Sequence, residues 1–229
     1  MEKVPKNIIL IDKPKGITSF DCIRRLRPVL GVKKMGHAGT LDPLATGLMI
    51  IGVGKGGTRV LNEFSGLDKV YTAVAKLGER TTTGDEEGEV LERKTVEIDS
   101  KDAKEATLNL KGEQNLPVPL YSAIKKKGKP LYWYARRGLP VDIPLKKMVV
   151  KEIDFEGMYK ENGITFIGFR VNVSAGTYIR SLVEELGRKL GVPATTSAIR
   201  RLNIGCHSVN EAGSLEDIEA GKVVFDLEF

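Results

Sequence analysis

The segment Gly36-His37-Ala38-Gly39-Thr40-Leu41-Asp42-Pro43-Leu44-Ala45-Thr46-Gly47 restricts what this chain can build more than any other stretch. Its three glycines, single proline and single carboxylate match neither the helical period of 3.6 nor the strand period of two. Glycine accepts positive φ and close backbone approach, whereas Pro43 fixes its own φ and pushes Asp42 toward extended geometry. The apolar run from Leu48 to Val53 follows at once and reads as a buried strand. The segment is therefore read as a stiff loop presenting one acid beside a core strand, a common placement for catalytic groups. An ordinary Asx-Pro turn is the alternative for an isolated Asp-Pro pair.

Charge distribution favours the first reading. The chain of 229 residues carries a net charge of +6, and between Tyr121 and Lys151 it holds nine basic residues against Asp142 alone. Those residues are Lys125, Lys126, Lys127, Lys129, Arg136, Arg137, Lys146, Lys147 and Lys151, interleaved with Tyr121, Tyr132, Trp133 and Tyr134. Basic side chains neutralise phosphates and aromatic faces stack on bases, so this segment points to a nucleic-acid partner. A solvated basic helix with inward-packed aromatics is the competing account.

Other classes are excluded. No apolar run reaches the length of a membrane span, and the N-terminus lacks a signal-peptide pattern. Cys22 and Cys206 stand far apart, which argues against a disulfide framework and for a reducing, cytoplasmic setting. With only His37 and His207 beside them, no metal-ligand cluster can be drawn, and no metal is expected.

In chain order, Asn7–Asp12 reads as a strand closed by Lys13-Pro14-Lys15-Gly16, and Thr18 or Ser19 caps a helix to about Leu30. Phe20, Ile23, Leu26 and Leu30 form its expected inner face, with Pro28 a conflict in its last turn. After the loop and the Leu48 strand comes a short helix from Thr58. Asp68–Leu77 then alternates as a strand, with Tyr71 on the face of Ala73 and Ala75. A polar loop from Gly78 to Gly88 precedes a strand to about Val96, and Asp99 or Ser100 opens a helix ending near Leu110. Pro130 begins a helix over Leu131–Arg137, ended by Gly138, and Val149–Tyr159 with Ile164–Val173 forms a hairpin around Asn162-Gly163. A turn at Ser174–Thr177 feeds a helix from Tyr178 to Leu190, striped by Ile179, Leu182, Val183, Leu186 and Leu190. Ala194–Ile204 is a further strand, and Ser214 caps a final helix. Strands and helices mix without strict alternation and without repeats. This predicts an α+β fold with a mixed, mainly antiparallel central sheet flanked by helices, as one domain over 1–229.

Gly52-Val53-Gly54-Lys55-Gly56-Gly57 fits the G-x-G-x-x-G dinucleotide pattern, yet the flanking chain lacks a doubly wound alternation. A glycine-rich strand exit touching backbone or RNA phosphate explains the run as well, and no cofactor is expected.

Four stretches together resemble the bacterial tRNA pseudouridine-55 synthase family (TruB type). They are Asp12-Lys13-Pro14-Lys15-Gly16-Ile17-Thr18-Ser19, the Gly36 to Gly47 segment, Tyr121-Ser122-Ala123-Ile124-Lys125 and Gly176-Thr177-Tyr178-Ile179-Arg180. Leu77-Gly78 with Gly88, Gln114 with Pro117 and Pro119, Ala135-Arg136 and Arg200-Arg201-Leu202 extend the match over nearly the whole chain. The resemblance implies a pseudouridine-synthase fold and a cofactor-free enzyme that isomerises one uridine in the T stem-loop of tRNA, with no membrane and no obligate protein partner. It implies that Asp42 is the catalytic acid, paired with Arg180, and that Tyr71 stacks on the flipped uracil. His37 resembles the histidine that fills the space left by the flipped base, and Tyr178 packs beneath the uracil. Lys13 belongs to a motif supporting the active-site loop and is grouped with Lys125, Arg136 and Arg200 among RNA- or substrate-binding residues. Two departures stand out. The family's Thr-Asp-Thr is Thr81-Thr82-Thr83 here, with Asp85 as a partial substitute, and no small C-terminal RNA-binding (PUA) domain is expected before Phe229.

The chemistry suits those residue types. Isomerisation breaks an N-glycosidic bond, rotates the uracil and rejoins it through carbon, and a carboxylate can bond to or stabilise the fragment meanwhile. Whether Asp42 attacks ribose C1′, attacks the uracil or first abstracts a proton is left open by the residues. The target base lies stacked in a folded loop and has to be extruded. The rival classes are a catalytically silent RNA-binding module, a nucleoside hydrolase using Asp42, and a nucleotide-dependent oxidoreductase using the glycine run.

Binding to tRNA is expected to weaken linearly with salt on a log–log plot. Replacing Lys125, Lys126 and Lys127 by Ala should flatten that slope by roughly 0.7–0.9 for each phosphate no longer neutralised. A fluorescence-anisotropy titration series measures it, and an unchanged slope places the RNA elsewhere.

Overall fold

In the computed structural model the described residues are 5–223, Phe225 and Leu227. They form two compact units, one built from residues up to Thr72 together with Ile199 onward, the other from Ala73–Ala198. The strands Lys69–Leu77 and Ala194–Ile204 each contribute residues to both.

The first unit is organised by the strand Thr46–Val53, of which every residue except Thr46 is buried. Ile8–Lys13 pairs with it antiparallel, from Ile8 opposite Gly52 to Lys13 opposite Gly47. Met35–His37 pairs with it antiparallel, and Arg200 and Arg201 lie parallel to Thr46 and Gly47. Gly213–Ser214 adds a parallel edge to Ile8–Lys13. Ile8, Leu10, Ala38, Leu48, Ile50, Leu61, Phe64, Ile204 and Val209 form a continuous core.

The helix Ser19–Leu30 follows the expected bounds, with a complete capping box between Thr18 and Asp21 and Gly31 left-handed at its end. Its phase differs from expectation. Ser19, Cys22, Ile23 and Leu26 point inward, while Phe20 is 55% exposed under the Arg27 guanidinium and Leu30 is half-buried. Because Thr18 takes the cap, Ser19 starts the i, i+3, i+4, i+7 stripe and Phe20 falls outside it. Pro28 lies in the last turn, and the helix runs on to Leu30.

The next helix spans Gly54–Ser65 and begins earlier than the expected Thr58. The Thr58 hydroxyl donates back to Gly54 O at 2.7 Å and does not cap. The glycines permit backbone contact, since a Cβ on Gly57 would lie 2.1 Å from Asn7 O and one on Gly52 would lie 2.5 Å from Gly57 O. Close packing explains this run without a nucleotide.

In the second unit, Leu145–Glu161 and Ile164–Val173 form the long hairpin, turning at Asn162 (φ 49°) and Gly163 (φ 78°) as a two-residue positive-φ loop requires. The first strand starts at Leu145, not Val149, because Gly112–Pro117 pairs alongside it from Leu145 opposite Pro117. The expected polar loop opens with a short strand, Glu79–Thr81, which pairs antiparallel with the strand expected after it, Val90–Arg93. Ser100–Leu108 is capped by Asp99, whereas Leu131–Ala135 is a shorter helix than expected. In Ile179–Lys189 the stripe residues Ile179, Leu182, Val183 and Leu186 are buried, and so are Arg180, Ser181, Glu185 and Gly187. Mixed pairing, non-alternating elements and helices among the strands make this the expected α+β fold.

Lys69 opens its strand only 5% exposed, with Nζ donating to Ser65 O at 2.7 Å and Leu67 O at 2.6 Å near the end of Gly54–Ser65. Helix-end carbonyls attract a cation, but burial pushes the ammonium down to about 8, and the Arg201 charge adds to that. The unfolded chain then binds more protons above that value, so this group's contribution to stability rises from about pH 8 to about pH 10.5. Burial moves the Cys22 thiol up to about 11, which acts in the opposite sense, so the variant has to be compared with wild type. Lys69→Met should lose the rising component, at most about 3 kcal/mol, in urea melts across that range. Identical pH slopes would show that Lys69 titrates normally.

Candidate active site

The loop carrying Asp42 is fastened through the backbone of its neighbours. Ser19 Oγ accepts from Leu41 N at 2.8 Å and donates to Leu41 O at 3.0 Å, closing a two-way clasp on the residue before Asp42. On the other side, Pro43 O accepts from Gly16 N at 2.8 Å and from Lys13 Nζ at 3.3 Å. Ala45 N closes a turn on Asp42 O at 3.1 Å, and the Asp42 side chain is half-buried. Ser19 was legible in the sequence as a possible helix cap and as the end of the Asp12 to Ser19 stretch, not as a partner of Leu41. Its inward position, next to a threonine able to cap, is the signal that could have marked it.

Lys13, grouped above with the RNA-binding residues, is fully buried and so cannot meet RNA directly. Its ammonium also donates to Pro14 O at 2.8 Å and Ile17 O at 2.7 Å, which makes it a hub for the turn that grips Pro43. Arg200 forms a two-point pair with Asp12, Nη1–Oδ1 at 3.0 Å and Nη2–Oδ2 at 2.6 Å. Hydrogen bonding to that carboxylate raises the guanidinium above its ordinary value. His37 lies on the strand Met35–His37, half-buried, its Nδ1 without a hydrogen-bond partner among the described residues. Burial, and then the Arg201 charge, hold it below the ordinary imidazole value, so it is neutral at pH 7. Tyr71 is 8% exposed on the inner face of its strand, in phase with Ala73 and Ala75 as expected.

Arg180 is 4% exposed in the second unit, near the start of Ile179–Lys189. Nη1 donates to Thr83 O at 2.6 Å and Nη2 to Tyr121 O at 3.0 Å. The Asp85 carboxylate stands 3.9 Å from its Nε, and itself accepts from Thr83 Oγ1 at 2.5 Å and Glu87 N at 3.1 Å. The guanidinium plane is thereby fixed by groups from two separate segments, the Thr83–Asp85 loop and Tyr121. Thr82 locks the base of the 79–93 hairpin, its hydroxyl accepting from Glu89 N at 3.1 Å. Tyr178 is half-buried at the helix entry, with Lys146 Nζ 5.5 Å from its ring centroid.

In the basic segment Lys125, Lys127, Lys129, Arg136 and Arg137 are exposed. Arg136 lies 5.5 Å over Tyr132, while Trp133 is flanked by Arg137 at 4.3 Å and Lys129 at 5.7 Å. Tyr134 turns inward and donates to Lys126 O at 3.0 Å, as the inward-packed account has it, whereas Tyr132 is exposed. Lys147 pairs with Glu113 at 2.5 Å. Among the described residues no group of His, Cys, Asp and Glu is arranged to hold a metal ion, and no helix is long and apolar enough to cross a membrane.

The chain matches the family model described as TruB family pseudouridylate synthase (N terminal domain) over residues 27–179. It is 39% identical to tRNA pseudouridine synthase B of Thermobifida fusca, covering 96% of this chain and 76% of that protein. It is 41% identical to the protein of the same name from Desulfotalea psychrophila, covering 93% of this chain and 86% of the relative. Among solved structures, it resembles a chain of a Cbf5-Nop10-Gar1 complex with a TM-score of 0.68 and 27% identity, covering 93% of this chain and 53% of the other. The chain thus spans about half the length of that structural neighbour. The match to that family model, with these relatives about two-fifths identical over most of both chains, places the chain in the TruB family of pseudouridylate synthases.

Proposed function

We propose that this enzyme converts one uridine in the T stem-loop of tRNA to pseudouridine, with Asp42 as the catalytic carboxylate and no cofactor. The observation that carries the proposal is the fastening of Leu41 and Pro43 on either side of Asp42, which preorganises one carboxylate on a loop. The names of the relatives, tRNA pseudouridine synthase B, support tRNA as substrate.

In this mechanism the target nucleotide leaves the loop stack, and Tyr71 and Tyr178 receive its uracil on their faces. His37, neutral at pH 7, occupies the vacated space as an uncharged ring. Asp42 then acts on the ribose, on the uracil or on a proton as the N1–C1′ bond breaks. The uracil turns, C5 bonds to C1′, and the C5 proton leaves as N1 gains one. Arg180 supplies the cation for the reacting carboxylate, its plane set by Thr83, Tyr121 and Asp85. Asp85 supplies the carboxylate that the family places at the position of Thr82. Lys125 and Arg136 contact tRNA phosphates, and Arg200 contributes through its hold on Asp12.

Asp42→Asn keeps the side-chain volume and removes the charge, so tRNA binding should stay near wild type while turnover disappears. Tritium release from 5-tritiated uridine in tRNA measures turnover, and a rate within about tenfold of wild type would reject Asp42 as the catalytic group. Arg180→Lys keeps the charge but cannot reproduce the planar grip, and its kcat should fall by about 100-fold with little change in Kd. Wild-type kinetics in that variant would remove Arg180 from the reaction.

A further inference from the structure

Arg201 is 1% exposed, and no carboxylate lies within ion-pair distance of it among the described residues. A buried guanidinium without a counter-ion costs stability, so its hydrogen bonds reveal what it is kept for. Nε donates to Leu48 O at 2.7 Å and Nη2 to Gly39 O at 3.1 Å. Gly39 and Leu48 bracket Asp42 at the two ends of its loop. One rigid planar group therefore spans the loop from end to end, a reach that a single ammonium cannot match.

The loop is also shaped around this arginine. Gly47 lies in parallel register with Arg201 at φ 104°, and a Cβ there would fall 2.2 Å from Arg201 O. Gly39 has φ 86°, and its Cβ would fall 3.4 Å from Arg201 Nη1. Gly47 is thus required by the close approach of the Arg201 backbone, and Gly39 by its positive φ beside the guanidinium. Ser19 and Lys13 hold the residues adjoining Asp42 from the N-terminal side of the chain, whereas Arg201 fixes the loop's span from a strand far along it.

We propose that Arg201 is a positioning residue for pseudouridine formation, setting the Gly39–Leu48 span so that the Asp42 carboxylate meets the reacting nucleotide in productive geometry. The proposal rests on the role given to Asp42 above. It differs from a core-filling role, because it ties the arginine to rate at saturating RNA and not only to stability.

The test compares Arg201→Lys with Ile218→Ala, a buried-residue control in the final helix of the same unit. Tm, Kd for tRNA, single-turnover rate at saturating enzyme, and amide hydrogen exchange over residues 36–48 are measured well below the lowest Tm. Arg201→Lys should bind tRNA within about threefold of wild type, react about 100-fold more slowly and exchange faster across the loop. Ile218→Ala should lose Tm yet keep its rate within about threefold and its loop protection unchanged. Arg201→Gln, whose single amide nitrogen cannot reach both Gly39 O and Leu48 O, gives a second variant should Arg201→Lys not fold, and should show the same split between rate and binding. A wild-type rate in Arg201→Lys, unchanged loop exchange, or an equal rate loss in Ile218→Ala each overturns the proposal. Absence of turnover in wild type on tRNA overturns the functional reading itself, while the exchange comparison still decides whether Arg201 holds the loop.

Discussion

The donation of Lys13 Nζ to Pro14, Ile17 and Pro43 carbonyls is the interaction on which the rest of the candidate site depends. A fully buried ammonium is tolerated only where oxygen dipoles replace its water, and here the backbone supplies them. That requirement folds Pro14–Ile17 back over Pro43, which in turn brings Thr18 to its cap and Ser19 to Leu41. The helix start and the Asp42 loop are consequences of one solvation problem. Removing the ammonium would take this donor from the Pro14 and Ile17 carbonyls, while Pro43 O would keep only Gly16 N, a larger loss than any one of these bonds gains.

The same device recurs in the first unit. Lys69 is solvated by the carbonyls of Ser65 and Leu67, and Arg201 by those of Gly39 and Leu48. Cations held by dipoles keep their net charge, whereas cations paired with carboxylates largely cancel it. An enzyme whose substrate is a polyanion gains from interior positive charge of this kind, because it adds to the field felt at the surface. The cost appears locally, in the lowered proton affinities of Lys69 and His37 next to Arg201.

Much of this was legible in the sequence, for identifiable reasons. The Asp42 loop announced itself because glycine and proline at close spacing satisfy neither regular period. The Asn162-Gly163 hairpin, the Asp99 and Ser214 caps and the Ile179–Lys189 stripe rest on local rules that tertiary packing did not override. Misreadings arose where a distant partner decided. Phe20 looked like a core residue, but Thr18 took the cap and rotated the stripe past it. The Gly54–Ser65 helix began early because glycines poor in helix propensity were needed against Asn7. Lys13 was read as a support of the active-site loop yet grouped with RNA-binding residues, because a basic residue looks alike in sequence whether it faces phosphate or carbonyl. Arg201 could be quoted as part of a pattern but not understood, since its partners are backbone atoms that no side-chain pattern records.

The composition of the first unit from two distant stretches has a consequence for how the chain is made. Leu48 and Gly39 are translated early, whereas Arg201 follows only after the whole continuous second unit, Ala73–Ala198, has been synthesised. The second unit holds all of its own chain and can condense while still on the ribosome, but the first cannot close its sheet or span its loop until the last stretch emerges. A growing polypeptide therefore carries Asp42 with Ser19 and Lys13 already made, but without Arg201 until the second unit has been synthesised. The span from Gly39 to Leu48 is thus bridged only after the stretch that carries Arg201 has been made.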